Sequence, residues 1–202
     1  MHDSTKLFYL KAGTQYLKRI QAGVPRELFP FMKRLPRHSV VLDVGCAGGR
    51  DSKVLFKHGF RVVGIDIVPS FVRIAKREVK QATFKLMDVR RLHFPSNTFD
   101  AIWCGAVLHH LRRREVPGVL REFHKVLKSG GLLCVREKWG RGTAIKGDAL
   151  WGGRTRRVTF FTVGELKGKL RRVGFTTVSS EIGTDALGRK SVKWVAVVAK
   201  RN

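Results

Sequence analysis

Two periods of apolar residues take turns along the chain. Over 4–22, Leu7, Leu10, Tyr16, Leu17 and Ile20 recur at helical spacing, and "GVP" separates this predicted helix from a second over 26–34. "SVVLDVG" at 39–45 reads as a buried strand that runs into glycines, and "RDSKVLFKHG" as a helix closed by Gly59. "FRVVGIDI" is a second buried strand, and "PSFVRIAKREVK" a helix with Pro69 near its start. "TFKLMDV", a segment over roughly 99–104, and "GGLLCVREK" continue the strands, with the helix "REVPGVLREFHKVLK" before the last of them. Residues 138–160 carry no clear period and are expected to be a long irregular segment. A helix, "TVGELKGKLRRVG", and a hairpin of "FTTVSSEI" and "KSVKWVAVVAK" close the chain.

Strand–helix alternation of this kind predicts an α/β fold: a mostly parallel sheet with helices on both faces, ending in an antiparallel hairpin. No repeat, low-complexity tract or linker interrupts the 202 residues. One domain is therefore expected, with a helical cap (1–38), a core (39–137), a lid (138–160) and a closing helix and hairpin (161–202). The longest apolar runs, such as "WVAVVA", fall far short of the about 20 residues that span a bilayer. A soluble, cytoplasmic protein without membrane insertion is expected. Cys46, Cys104 and Cys134 are odd in number and lack C-x-x-C spacing, which speaks against disulfides and zinc.

Charge changes the picture. Lys plus Arg number 41 and Asp plus Glu 15, a net +26. Such a surface attracts polyanions, so nucleic acid is a possible partner, although the cations are dispersed rather than gathered on one face.

The glycine turn Gly45-Cys46-Ala47-Gly48-Gly49 stands where sheets of this kind bind ligands. It lacks the G-x-G-x-x-G spacing of dinucleotide folds and the G-x-x-x-x-G-K-[ST] of phosphate loops. Asp43 and Asp51 flank it and would repel a pyrophosphate, but they suit a cationic ligand. Asp66 and Asp88 close the next two predicted strands, at the same sheet edge as Asp43. An acid at the end of strand two can accept ribose hydroxyls. Ala47 narrows the loop and is tolerated there if its backbone stays at φ below zero.

"VLDVGCAGGRDS", "VVGIDIVPSFVRIAK", "FKLMDVRRLHFPSNTFDAIWCGAVLHHL" and "LREFHKVLKSGGLL" together resemble the successive motifs of class I S-adenosylmethionine-dependent methyltransferases, the methyltransferase 11/25-type group in particular. The resemblance implies the family's Rossmann-like fold with a seven-stranded sheet, and S-adenosylmethionine as cofactor. It implies that Asp43, Gly45, Cys46, Ala47 and Gly49 line the methionine part. Asp66 would hold the ribose, Ile67 would cover the adenine, and Asp88 and Val89 would read its edge. Cys104 and Gly105 would approach the methionine amino group, and Tyr16 would cover the cofactor.

His109 and His110, expected near the cleft mouth, are the candidate catalytic groups, as base or orienting residues. The segment 138–160 offers Trp139, Trp151 and Arg157 as substrate contacts, among further cations Lys138, Arg141, Lys146, Arg154 and Arg156. Aromatics interleaved with cations suit either a small anionic substrate or a nucleic-acid base and phosphate. No N/D-P-P-Y/F or Pro-Cys motif marks amino- or C5-methylation of nucleic acid. The expected activity is methyl transfer to an O or N nucleophile of a small acceptor. RNA (tRNA or rRNA) is the alternative acceptor, and a nicotinamide oxidoreductase or a non-catalytic cofactor- or RNA-binding module are readings of another class.

Overall fold

The computed structural model describes residues 3–21, 23–147 and 155–202. Helices α1 (Asp3–Ile20) and α2 (Leu28–Met32) open the chain. Then come β1 (Val40–Val44), α3 (Arg50–Lys57), β2 (Arg61–Asp66), α4 (Pro69–Glu78), β3 (Thr83–Leu86) and β4 (Phe99–Gly105). A 3-10 turn, Leu108–His110, precedes α5 (Val116–Val126) and β5 (Leu127–Lys138). β6 (Thr143–Gly147), β7 (Thr155–Thr159), α6 (Val163–Arg171), β8 (Phe175–Thr184) and β9 (Lys193–Arg201) complete it.

Seven strands form one sheet in the order β3-β2-β1-β4-β5-β9-β8. The pairings from β3 to β5 are parallel, and β9 runs antiparallel to both its neighbours. The period-2 geometry of a strand sends alternate residues to opposite faces. From β4, Ile102 and Cys104 join the layer of α5 and α6, with Phe123, Leu166 and Leu170. Ala101 and Trp103 join the layer of α2 and α3, with Phe31 and Leu55. Each fully buried side chain of this size contributes about 1.5–3 kcal/mol. No helix among the described residues is long and apolar enough to cross a membrane.

Local chemistry overrules the sequence pattern in three places. α1 breaks at Gly13, which takes φ 48° and ψ −136°. Before the kink the helix exposes Leu7 and Leu10 and buries Thr5, Phe8 and Tyr9, against the spacing; after it Leu17 is buried with Tyr16 and Ile20 beside it, as the spacing suggested. β5 already begins at Leu127, before the two glycines, and absorbs them through a register shift against β4. The segment expected to be irregular holds the antiparallel pair β6–β7. A lone two-stranded ribbon is marginal in water. This one gains support from contacts of β7 with α1 and with the 3-10 turn.

Candidate active site

The glycine turn after β1 is held by its own amides. The N–H groups of Gly45 and Cys46 both donate to the Ile65 carbonyl, at 2.8 and 3.0 Å, and Gly49 N–H donates to the Cys46 carbonyl at 2.9 Å. Gly45 sits at φ 70°, and a Cβ there would stand 2.4 Å from Val107 Cγ2. Ala47 N–H donates to Asp66 Oδ2 at 3.0 Å. To reach it Ala47 adopts φ 48°, contrary to the expected negative φ. That conformation costs an L-residue about 1 kcal/mol. A phosphate cradle needs amides that point at the ligand. Four of the five amides of this turn are already committed, so the loop is poorly suited to a pyrophosphate and the nicotinamide reading loses its support.

A cavity of about 190 Å³ lies beyond this turn, at the carboxyl ends of β1, β2 and β4. One end is walled by carboxylates. Asp66 accepts from Val68 N–H at 2.9 Å as well as from Ala47. A carboxylate offers about four lone-pair positions, so acceptor capacity remains for a ligand. Burial pushes the Asp66 carboxyl up to about 6, against the pull of its backbone donors. Asp51 accepts from Arg50 Nε at 2.6 Å and Trp103 Nε1 at 3.0 Å. Behind it Asp43 accepts from Ser52 Oγ at 2.6 Å. Burial and then the charge of Asp51 push Asp43 up to about 7. Acids crowded in this way are relieved by a cation.

The other end is walled by rings and cations. His109 and His110 are 3% and 5% exposed, so they line the cavity from within the fold and not at a mouth. Glu137 on β5 fixes them. Its carboxyl group accepts from the backbone N–H groups of Val107, Leu108 and His109, and His109 Nδ1 shares a hydrogen bond with it at 2.6 Å. Burial pushes Glu137 up to about 8, while its three amide donors pull it down. Burial, and then Lys138, Arg156 and Arg136, hold His109 well below its usual value. Burial, His109, Arg156 and Lys138 do the same to His110, with a small offset from the Arg157 backbone. Both rings are therefore neutral at pH 7. Tyr9 Oη lies 2.9 Å from His110 Nε2 and accepts from Arg156 Nη1 at 3.0 Å.

This geometry has relatives. Residues 42–135 match the family model described as a methyltransferase domain. Over that stretch the chain is similar to S-adenosylmethionine-dependent methyltransferases. The chain is 36% identical over 107 residues to a 2-methyl-6-phytyl-1,4-hydroquinone methyltransferase of Synechocystis, covering 51% of this chain and 33% of that protein. It is 33% identical over 97 residues to a ubiquinone biosynthesis O-methyltransferase of Coxiella burnetii, covering 46% of this chain and 41% of that one. The chain thus spans less than half the length of these curated relatives. Among solved structures, a Burkholderia thailandensis 1,6-didemethyltoxoflavin-N1-methyltransferase, with 1,6-didemethyltoxoflavin and S-adenosylhomocysteine bound, superposes with a TM-score of 0.78 at 21% identity, over 98% of this chain and 88% of that one. A Methanosarcina mazei S-adenosylmethionine-dependent methyltransferase superposes equally well, at 0.78 and 22% identity, over 89% and 98%. The fold is the one the sequence motifs implied.

The fold brings some of the expected residues to the cavity and withholds others. Gly45, Cys46, Ala47, Asp66, Ile67, Asp88, Val89, Gly105, Tyr16, His109 and His110 all line it. Asp43 does not: it shares a strand face with Val41 and points at α3. Gly49 sits behind the turn, where a Cβ would meet Ala75 at 3.3 Å. Cys104 is fully buried on the α5 side of β4. Asp88 lies two residues past the end of β3 and is gripped by Arg90, with Nη2 at 2.6 Å from Oδ2. Burial works to raise its pKa, but Arg90 prevails and holds it below the usual range. Trp139 is 41% exposed outside the cavity, with Lys193 Nζ 5.6 Å from its ring. Arg157 pairs in register with exposed Ile145, on the ribbon face opposite Arg156. Trp151 and Arg154 lie outside the described residues. Sequence reasoning passed over Tyr9 and Glu137. A Glu inside the apolar run "GGLLCVREK" was the available signal, since a fully buried acid needs a cluster of donors.

Proposed function

We propose that the protein is a methyltransferase that moves the methyl group of S-adenosylmethionine to an O or N nucleophile of a small acceptor. The observation that carries this reading is one cavity, at the carboxyl ends of β1, β2 and β4, that brings Asp51, Asp66 and Asp88 together with Tyr9, His109 and His110. When bound, the cofactor supplies a methyl group already activated on a sulfonium cation. Asp66, with acceptor capacity to spare, would hold the ribose. Ile67 and Val89 would border the adenine, and Tyr16, stacked on Phe71 at 5.9 Å, would cover that side. Asp51, and Asp43 behind it, would supply negative potential near the positively charged methionine part.

At the opposite end the chain positions the acceptor and excludes water. Glu137 holds His109 by Nδ1, which leaves Nε2 as the nitrogen able to take the acceptor's proton when one is lost. His110 and Tyr9 would orient the nucleophile. Segment 138–160 contributes Lys138 and Arg156 to this wall. RNA is the weaker reading, because the cations that meet the site face into a cavity and not along an open groove. Cytoplasmic action accords with the three unpaired thiols.

Calorimetry on the full chain should register S-adenosylmethionine and S-adenosylhomocysteine. Binding of NADH with no binding of either would overturn the assignment. With methyl-labelled cofactor, a metabolite extract should yield labelled small molecules and total RNA none. Label in RNA alone would replace the acceptor class.

A further inference from the structure

Five arginines line the cavity, Arg19, Arg50, Arg136, Arg156 and Arg189, and three of them are paired with acids of the chain. Arg50 pairs with Asp51 at 2.6 Å, Arg136 with Glu27 at 2.9 Å and Arg189 with Asp185 at 2.7 Å. Arg156 is different. Among the described residues no carboxylate stands within ion-pair distance of it. Its guanidinium lies 4.7 Å from the Phe8 ring centroid and 5.7 Å from that of Tyr9, and Nη1 donates to Tyr9 Oη. Stacking fixes the plane of the fork and leaves most of its five N–H donors unspent. A half-buried cation that is stacked but lacks an anion is held ready for one from outside.

Its surroundings say what kind. Lys138 and Arg136 line the same end and, with Arg156, act on the two neutral histidines. Glu137, which holds the histidine turn, is spent on its own backbone and histidine partners, and Asp66 reaches Tyr9 from the other side. The local potential is positive, and Tyr9, kept protonated by its burial, adds a hydroxyl beside Arg156.

We propose that Arg156, stacked on Phe8 and hydrogen-bonded to Tyr9, is a specificity residue that anchors a carboxylate carried by the methyl acceptor, so that the substrates are small acids bearing a separate hydroxyl or amino nucleophile. This rests on the methyltransferase reading above. The carboxylate is a handle and not the atom that is methylated. The same positive field lowers the pKa of a hydroxyl close to the handle, so little base strength is asked of His109.

The test uses the full chain saturated with S-adenosylhomocysteine. Its probes are ortho-, meta- and para-hydroxybenzoate and the three matching hydroxybenzamides, followed by calorimetry. At least one acid should bind about tenfold more tightly than its amide, the size expected of a hydrogen bond between charged groups. Arg156→Gln should erase that preference and Arg156→Lys should keep part of it. S-adenosylhomocysteine affinity should be the same in all three proteins, which also reports that the variants fold. Equal affinity for acids and amides, including none for either, overturns the proposal. So does a preference that survives Arg156→Gln, which would mark the general +26 charge. A loss of S-adenosylhomocysteine affinity in Arg156→Gln would hand the arginine to the cofactor instead. Failure of the unaltered protein to bind S-adenosylhomocysteine would strike the methyltransferase reading itself.

Discussion

The two ends of the cavity are built from opposite materials. At the acid end the backbone does the shaping: a turn knotted by its own amides, with Asp66 clamped to Ala47 and Val68. At the cation end side chains do it: Glu137 carries a whole 3-10 turn, and Tyr9 links a helix, a histidine and a ribbon. The acid end comes from β1 and β2, neighbours in the sheet and close in sequence. The cation end gathers residues as far apart as Tyr9 and Arg156. The first arrangement is set by local backbone geometry, while the second rests on side chains brought together by tertiary packing.

If that contrast is right, the largest effect belongs to Glu137. Glu137→Ala strands three buried amides and His109 Nδ1, and should cost about 3 kcal/mol of stability in denaturant unfolding. A loss within the range of surface substitutions would show that the 3-10 turn does not depend on it. Next comes Asp66→Ala, expected to weaken S-adenosylmethionine about a hundredfold by calorimetry, from the loss of charge-assisted hydrogen bonds. Retained affinity would remove Asp66 from the ribose site.

A smaller, graded effect comes from pH. Burial pushes the Asp66 carboxyl up to about 6, and in the proposed ribose site its ionised form is the acceptor. Cofactor affinity should therefore be flat above about pH 7 and fall by up to tenfold per unit below about 6. In Asp66→Asn that component of the slope should vanish. The smallest effect separates the turn from its neighbours. Ala47→Gly should raise stability by about 0.5 kcal/mol in thermal unfolding, as relief of the positive φ slightly exceeds the added entropy of the unfolded chain. Gly45→Ala should instead destabilise, because its Cβ would drive into Val107.

The acid end was also the more legible in sequence. Glycines between a buried strand and a helix, with Asp43 and Asp66 at strand ends, are local signals, and the order of the parallel sheet follows from the alternation around them. Even so, burial sorted the candidates. Asp43 and Asp66 look alike in sequence, yet strand alternation turns Asp43 toward α3 and leaves only Asp66 in the cavity. The cation end was read less well because its residues meet only through tertiary packing. Arg156 and Arg157 are adjacent, and the choice between them is set by a ribbon that no period announced. Tyr9 was hidden in the stretch of α1 where Leu7 and Leu10 face out.

The root of the β6–β7 ribbon is tied in both directions. Trp139 bridges to Phe161, Gly140 N–H donates to the Phe161 carbonyl, and Phe161 N–H donates to that of Lys138. Whatever lies between these anchor points, β5 ends and α6 starts at the same separation. A hairpin transplanted from another methyltransferase would inherit the same sockets, and the sheet would not register the exchange. The ribbon is thus a self-contained unit of the fold, and the natural one to graft when the proposed acceptor wall is put to the test.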